Sequence, residues 1–299
     1  MRSGFVAVVG RPNVGKSTLV NRLVGHKVSI TSSRPQTTRS TIRGVLTRSG
    51  PDDEPLFQMV LVDTPGLHRP RTELGSRLNR RVYGSLEEAD AVLVVIDATA
   101  PIGPGDRLVA DRVREAGSPA VLAVNKVDVA GRAEILSQLT EAAAWDFTAY
   151  VPVSAQEGDG IEDLVDEVAP MLPEGPLYFP PGQWSDQPEA LVIAEIIREK
   201  FLERLRDELP HSLMVRVEDI DEREDGLLTI EADVIVERKS QRGIVIGKGG
   251  SLLKLAGSEA RAELETLLGA QVNLQLQVEV EKDWQRRPVL LDRLGFQES

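Results

Sequence analysis

The chain has 299 residues, 41% of them hydrophobic and none of them Cys, which excludes disulfides and any Cys-held metal site. Its three His residues, His26, His68 and His211, are scattered with no i,i+4 partner, so a His-based metal motif on a helix is excluded too. A formal net charge of −12 argues against a chain that binds nucleic acid over its whole surface, so any such site has to be local.

The length suggests about two domains. Met1-Arg2-Ser3-Gly4 leads straight into an apolar strand without a signal core. No apolar run approaches the ~20 residues of a spanning helix. A soluble, cytoplasmic protein is expected.

Val6-Ala7-Val8-Val9 reads as the first strand and Ser17 to Val24 as the first helix. Between them, Gly10-Arg11-Pro12-Asn13-Val14-Gly15-Lys16-Ser17 fits G-x-x-x-x-G-K-[ST], in the strand–loop–helix setting the motif requires. Glycines there let backbone N–H groups turn toward phosphates, and the helix N-terminus adds positive partial charge. Lys16 can reach the β- and γ-phosphates, the Ser17 hydroxyl can bind Mg²⁺, and Thr18 extends the nucleotide contact.

The polar stretch Ser29 to Ser40, with Arg34-Pro35-Gln36-Thr37-Thr38-Arg39, is long enough for a lid that orders on the γ-phosphate. Thr38 is the candidate second hydroxyl on Mg²⁺, with Thr37 the alternative. Thr41 to Thr47 reads as an extra strand near one edge, and Phe57 to Val62 as a buried one. Asp63-Thr64-Pro65-Gly66 follows, where Asp63 can hold Mg²⁺ and the Gly66 N–H can sense the γ-phosphate. Lys16, Thr38 and Gly66 are the candidates to act on the transferred group. Leu67 stands where Ras-type GTPases carry the Gln that orients the attacking water. Slow intrinsic turnover is therefore expected, with Asn13 a candidate K⁺ ligand in place of an arginine finger.

Ala91 to Ile96, Ala120 to Val124 and Tyr150 to Val153 read as further strands. Helical patterns lie at Asp106 to Ala116, Glu134 to Ala144 and Ile161 to Met171. Unbroken apolar strands alternating with helices predict a three-layer α/β sandwich around a mostly parallel six-stranded sheet, the P-loop NTPase architecture. Asn125-Lys126-Val127-Asp128 follows one strand. The Asp128 carboxylate can accept guanine N1–H and its 2-amino group, which adenine does not offer as a pair. Asn125 can tie this loop to the P-loop, the Lys126 stem can cover the base, and Ser154-Ala155 after the next strand can meet guanine O6.

Six prolines between Pro170 and Pro188, with Gly175 and Gly182, break the pattern. The expected organisation is a nucleotide domain at 1–172, a semi-rigid linker at 173–188 and a smaller α+β domain at 189–299. The latter reads as a helix from Glu189 to Glu208 stopped by Pro210, strands at Ser212 to Glu218 and Leu227 to Glu237 around an acidic hairpin loop Asp219 to Gly226, helices near 240–247 and 251–268, and a strand Gln271 to Val280. In the tail, Leu290, Leu291, Leu294 and Phe296 have helical spacing.

Between the two helices lies G-x-x-G, Gly247-Lys248-Gly249-Gly250, preceded by Gly243-Ile244-Val245-Ile246. From Arg238 to Lys254 there are five basic residues and no acidic one, inside a region, 181–299, whose net charge is −8. This is the pattern of a loop that clamps single-stranded nucleic acid: glycines admit the backbone, apolar side chains pack bases and cations meet phosphates. Candidate contacts are Arg242, Gly243, Ile244, Ile246, Gly247, Lys248, Gly249, Gly250 and Lys254.

With these segments in order, the chain resembles the bacterial Era GTPases over nearly its full length. The segments that carry the resemblance are Gly10 to Thr18, Gln36 to Arg39, Asp63 to Leu67, Asn125 to Asp128, Ser154 to Gln156, Leu172 to Gly175, Ala194 to Lys200, Glu208 to Pro210 and Gly243 to Gly250. The resemblance implies a Ras-like GTPase joined to a type II KH domain. It implies GTP and GDP as ligands, Mg²⁺ as cofactor, binding to 16S ribosomal RNA near its 3′ end and a role in 30S subunit assembly. A monomer, in part peripheral to the inner face of the cell membrane, is expected.

Overall fold

A computed structural model of the chain describes residues 1–32, 37–52, 54–67, 70, 72–206 and 209–296. Of the residues singled out above, Arg34, Pro35, Gln36, His68 and Glu208 lie outside these. The main division of the chain falls between Asp186 and Gln187.

The first unit is built in the order β1 (Arg2–Val9), α1 (Lys16–Val24), β2 (Ile42–Ser49), β3 (Pro55–Asp63), α2 (Glu73–Glu87), β4 (Ala91–Asp97), α3 (Pro104–Ala116), β5 (Ala120–Asn125), α4 (Arg132–Ala142), β6 (Ala149–Val153) and α5 (Ile161–Val168). The strands form one six-stranded sheet, β2-β3-β1-β4-β5-β6, parallel except for β2 at the edge. Both faces of the sheet are buried, which is why its central strands are continuously apolar. Val6, Val8, Leu93 and Val95 face a core with Leu19, Val20 and Leu23 of α1 and Leu164, Val165 and Val168 of α5. Ala7, Val9, Val92 and Val94 face the opposite core, with Val82 and Leu86 of α2 and Val109 and Val113 of α3.

Helix α2 was absent from the expected elements. Its charged surface masks a signal that is present: Leu74, Leu78, Val82 and Leu86 recur every fourth residue and are all buried. The proline-rich segment also differs from expectation. Expected as a semi-rigid linker at 173–188, it is fastened along the first unit as far as Asp186. Ser3 N donates to Pro173 O at 3.0 Å and Val45 N to Trp184 O at 2.9 Å, and Arg43 pairs with Asp186 at 2.9 Å.

The second unit comprises α6 (Glu189–Leu202), α7 (Leu209–Ser212), β7 (Met214–Glu222), β8 (Leu228–Val236), α8 (Lys239–Ile246), α9 (Ser251–Leu268), β9 (Val272–Val280) and α10 (Pro288–Arg293). Its sheet runs β7-β8-β9, with β7 antiparallel and β9 parallel to β8. Helix α6 ends at Leu202, earlier than expected. Leu205 and Leu209 beyond it remain buried, so the apolar spacing continues through the turn and does not mark the helix end. Pro210 starts a short helix instead of stopping a long one, at a first-turn position where its missing N–H costs nothing. The first half of the acidic stretch at 219–226 is strand. Ile220 pairs with Ile230 across the sheet while Asp219 and Asp221 stay exposed, and the turn is confined to Arg223 to Gly226.

Candidate nucleotide site and nucleic-acid groove

The parallel strands of the first unit bring every expected nucleotide residue to their carboxyl ends, the edge where such sheets bind ligands. β1 leads into the loop Gly10 to Gly15, β3 ends at Asp63, β5 ends at Asn125 and β6 leads to Ser154.

In the P-loop, Gly15 has φ +96°, and a Cβ there would collide with Asn125 Nδ2. Lys16 folds back over the loop and donates to the carbonyls of Gly10 and Arg11 at 3.2 and 3.0 Å. Burial pulls its pKa down to about 8, against the opposing charge of Asp63. Thr18 is half-buried in the first turn of α1. Asn13 is exposed in the left-handed region at φ +66°.

Three side chains converge beside Lys16. Ser17 Oγ donates to Asp63 Oδ2 at 2.7 Å and lies 2.9 Å from Thr38 Oγ1, whose own distance to Asp63 Oδ2 is 3.4 Å. Thr38, one of the two candidate threonines, thus stands at this cluster. Asp63 is fully buried, and burial pushes its pKa up against the opposing effects of Lys16, Ser17 and Thr38. Its Oδ1 has no hydrogen-bond partner among the described residues. A buried carboxylate oxygen left so is costly, and two hydroxyls beside it make a hard oxygen donor set. These residues fit a divalent cation. Leu67 N donates to Gly10 O at 3.3 Å, which seats the turn containing Gly66 against the P-loop. The Leu67 side chain is buried among the core residues of that sheet face, so it offers nothing to an attacking water.

The residues expected to recognise the base are tied into the same framework. Asn125 is buried and bridges two loops: Nδ2 donates to Val14 O at 2.8 Å and Oδ1 accepts Ala155 N at 3.0 Å. Lys126 Nζ donates to Asn13 O at 2.9 Å. Asp128 is exposed, and its Oδ1 accepts Ser154 Oγ at 2.6 Å. Ser154 Oγ in turn accepts Glu157 N at 3.0 Å.

Three supporting residues escaped the motif reading because they lie on other elements. Arg22 on α1 donates from Nε to Ala155 O at 3.1 Å and also binds Gln156 O, pinning the loop after β6. Asp106 at the start of α3 is buried and holds Arg11 Nε at 2.6 Å. Asp97 ends β4 and pairs with Lys126 at 2.5 Å. A carboxylate closing a strand next to the P-loop strand is the signal that finds Asp97.

In the second unit, Gly247 stands at φ +77°, ψ 169°, and a Cβ there would lie 2.8 Å from Leu252 N, so the turn between α8 and α9 admits only glycine without strain. Gly249 and Gly250 also have positive φ. A groove of about 910 Å³ runs beside α8, lined by Lys239, Arg242, Ile246 and Leu253 on one side and by Gln277 to Glu281 on the other. Gly250 and Lys254 line a second depression, about 330 Å³, with Arg261. Gly243, Ile244, Lys248 and Gly249 are exposed and line neither; Ile244 is 54% exposed. The stretch 238–254 is purely basic in sequence, but the groove is not. The edge strand β9 brings in Glu279 and the residue after it, Glu281.

Residues 5–126 match the family model described as 50S ribosome-binding GTPase, and residues 208–285 match the KH domain. The GTPase Era of Mycobacterium avium (strain 104) is 50% identical over 301 aligned residues, which cover 99% of each chain. That of Mycobacterium tuberculosis (strain ATCC 25618 / H37Rv) is 49% identical over 98% of each. A crystal structure of an Aquifex aeolicus Era variant bound to GDP and AlF₄⁻ matches with a TM-score of 0.94 at 37% identity, covering 100% of both chains. Era in complex with MgGDPNP and nucleotides 1506–1542 of 16S ribosomal RNA matches with a TM-score of 0.93, also at 37% identity and 100% coverage.

Proposed function

The chain belongs to the Era family of GTPases, and on that premise we propose that its hydrolysis of GTP drives a switch that binds 16S ribosomal RNA near the 3′ end and acts in assembly of the 30S subunit. One observation carries the switch. Thr38 belongs to the segment after α1, yet its hydroxyl lies 2.9 Å from Ser17 Oγ. Whatever occupies that cluster therefore holds the segment in place, and its loss releases it.

Ser17, Thr38 and Asp63 are the residues that would hold Mg²⁺, which when bound neutralises phosphate charge. Protonated Lys16 leaves its carbonyl partners for the phosphates, and Asp128 selects guanine over adenine by accepting two donors. With Leu67 turned into the core, no side chain at that position orients water, so intrinsic turnover is slow. Asn13 is proposed to hold K⁺ where other GTPases use an arginine finger. Equal turnover in K⁺ and Na⁺ buffers would remove that ion from the scheme.

The relative solved with a 16S fragment supports the RNA reading, as do Lys239 and Arg242 beside the apolar Ile246 and Leu253 in the groove. The test is the affinity for a 16S 3′ fragment with a GTP analogue, with GDP and without nucleotide. The switch predicts tighter binding in the GTP state. Equal affinity in all three would make the protein a constitutive RNA chaperone whose nucleotide only stabilises the fold.

A further inference from the structure

We infer that Asp97 is a positioning residue for nucleotide binding, acting through Lys126 to lock the guanine-recognition loop onto the P-loop. This rests on the reading that Asn125 to Asp128 receive the base.

The backbone register sets the geometry. Asp97 closes β4 directly opposite Asn125, the last residue of β5, and Ala98 N donates to Asn125 O at 2.8 Å. The backbone thus sets position 97 beside the start of the base loop, and the carboxylate there is Asp97's. Both its oxygens are engaged. Oδ1 accepts the backbone N and the hydroxyl of Thr99 at 2.9 and 2.6 Å, which fixes the rotamer. Oδ2 takes the Lys126 ammonium at 2.5 Å, and the same ammonium donates to Asn13 O at 2.9 Å.

The chain Thr99–Asp97–Lys126–Asn13 therefore spans three loops. Its last two members, Lys126 and Asn13, hold φ in the left-handed region, at +70° and +66°, which is disfavoured for Lys and better tolerated by Asn. Such conformations persist only when surroundings over-determine them. The Asp97 side chain is 14% exposed and that of Lys126 is 34% exposed, so the pair is partly shielded from water and worth more than a surface ion pair. Without Asp97, the Lys126 ammonium keeps a single neutral acceptor and its long stem regains rotamer freedom. The stem then no longer lies pre-set beside the base, and the cost falls on nucleotide retention instead of on the chemical step.

The experiment measures GDP dissociation by stopped flow, and single-turnover GTP hydrolysis at saturation, for the full chain and for Asp97→Asn, Lys126→Met and the double variant. Asp97→Asn is expected to raise the dissociation rate about tenfold while changing the hydrolysis rate constant less than about twofold. In the Lys126→Met background the same substitution is expected to do nothing further, because its route is gone. Thr99→Val, which removes one hydrogen bond from Asp97 but keeps its charge, is expected to give a smaller rise of about two- to threefold. Should Asp97→Asn act equally in both backgrounds, or leave dissociation unchanged while Lys126→Met accelerates it, the positioning role is wrong. Should Lys126→Met itself leave dissociation unchanged, the base-loop reading beneath it fails.

Discussion

Gln58 of β3 holds Phe179 in both directions: its Nε2 donates to Phe179 O at 3.0 Å and its Oε1 accepts Phe179 N at 3.0 Å. Gln58 is fully buried, and the same Oε1 also accepts Tyr178 N at 2.8 Å. A side-chain amide thus replaces a strand partner for the proline-rich segment. Gln58→Leu removes these bonds and is expected to destabilise the first unit by about 2–3 kcal/mol. Chemical denaturation reads the loss, and faster proteolytic cleavage between residues 176 and 184 locates it. Unchanged cleavage would mean that the prolines hold the segment unaided.

Asn125 bridges Val14 and Ala155, so its removal strands a carbonyl and an N–H in a buried setting. Each unsatisfied group costs about 1–3 kcal/mol. Asn125→Ala is expected to weaken GDP binding by at least about a hundredfold, and Asn125→Asp by more, since a carboxylate cannot donate to Val14 O. Titration with a fluorescent GDP analogue measures both. An affinity within tenfold of the parent would show that the bridge is dispensable.

Lys16 gives opposite pH signs for stability and for binding. Its pKa falls from 10.5 to about 8 on folding, so between these values the unfolded chain holds more protons and the nucleotide-free protein gains stability as pH rises. Phosphates favour the charged form, so the complex holds more protons than the free protein above about pH 8, and affinity falls as pH climbs through that value. Calorimetry at about pH 8 in two buffers of different ionisation enthalpy is expected to show proton uptake on GDP binding. Lys16→Arg should abolish it. Uptake that survives in Lys16→Arg would assign the proton to another group.

How much of this was legible depends on where each residue's partners lie. The placement of the P-loop, Asp63 and Asn125 to Asp128 was legible because each follows an apolar strand, which is a local signal. Asp97, Arg22 and Asp106 act on loops 29 to 133 residues away, so only the assembled sheet reveals them. Helix ends were misplaced where Leu205 and Leu209 stay buried beyond α6, because burial constrains the side chain and not the backbone that carries it. The proline-rich segment looked like a linker because its anchor is a lone polar residue, Gln58, inside an apolar strand, a position that on its own reads as a defect.

Gly247 and Gly249 share the same loop and positive φ but differ in their surroundings. A Cβ at 247 meets Leu252 N at 2.8 Å, whereas one at 249 meets nothing within 4 Å. Gly249→Ala, in the left-handed helical region, therefore meets only a backbone cost of about 1–2 kcal/mol, whereas Gly247→Ala, at ψ 169° where only glycine is at ease, meets a larger backbone cost plus the collision. Thermal unfolding of the full chain should show the second unit melting distinctly earlier in Gly247→Ala. Equal shifts would mean that α9 moves away from the added methyl freely.

The mixed charge of the groove gives a prediction with two signs. Arg242 and Glu279 line it together, one on α8 and the other on β9. A phosphate or a base entering between them gains from the first and is opposed by the second, unless the carboxylate accepts a base amino group. Arg242→Ala is expected to weaken binding of a single-stranded 16S 3′ fragment and to reduce the slope of log affinity against log salt by about 0.7, the value for one phosphate contact on a single strand. Glu279→Gln keeps the shape and removes the charge. If Glu279 only repels, Glu279→Gln binds all sequences more tightly. If it accepts from adenine N6 or cytosine N4, Glu279→Leu, which removes the acceptor that Gln would keep, loses the preference for oligonucleotides carrying those bases over uridine-substituted ones, while its salt slope stays near that of the parent. Filter binding at several salt concentrations, with matched A/C-rich and U-rich oligonucleotides, separates the two. An unchanged slope for Arg242→Ala would place the phosphate path outside this groove, nearer Lys254 and Arg261.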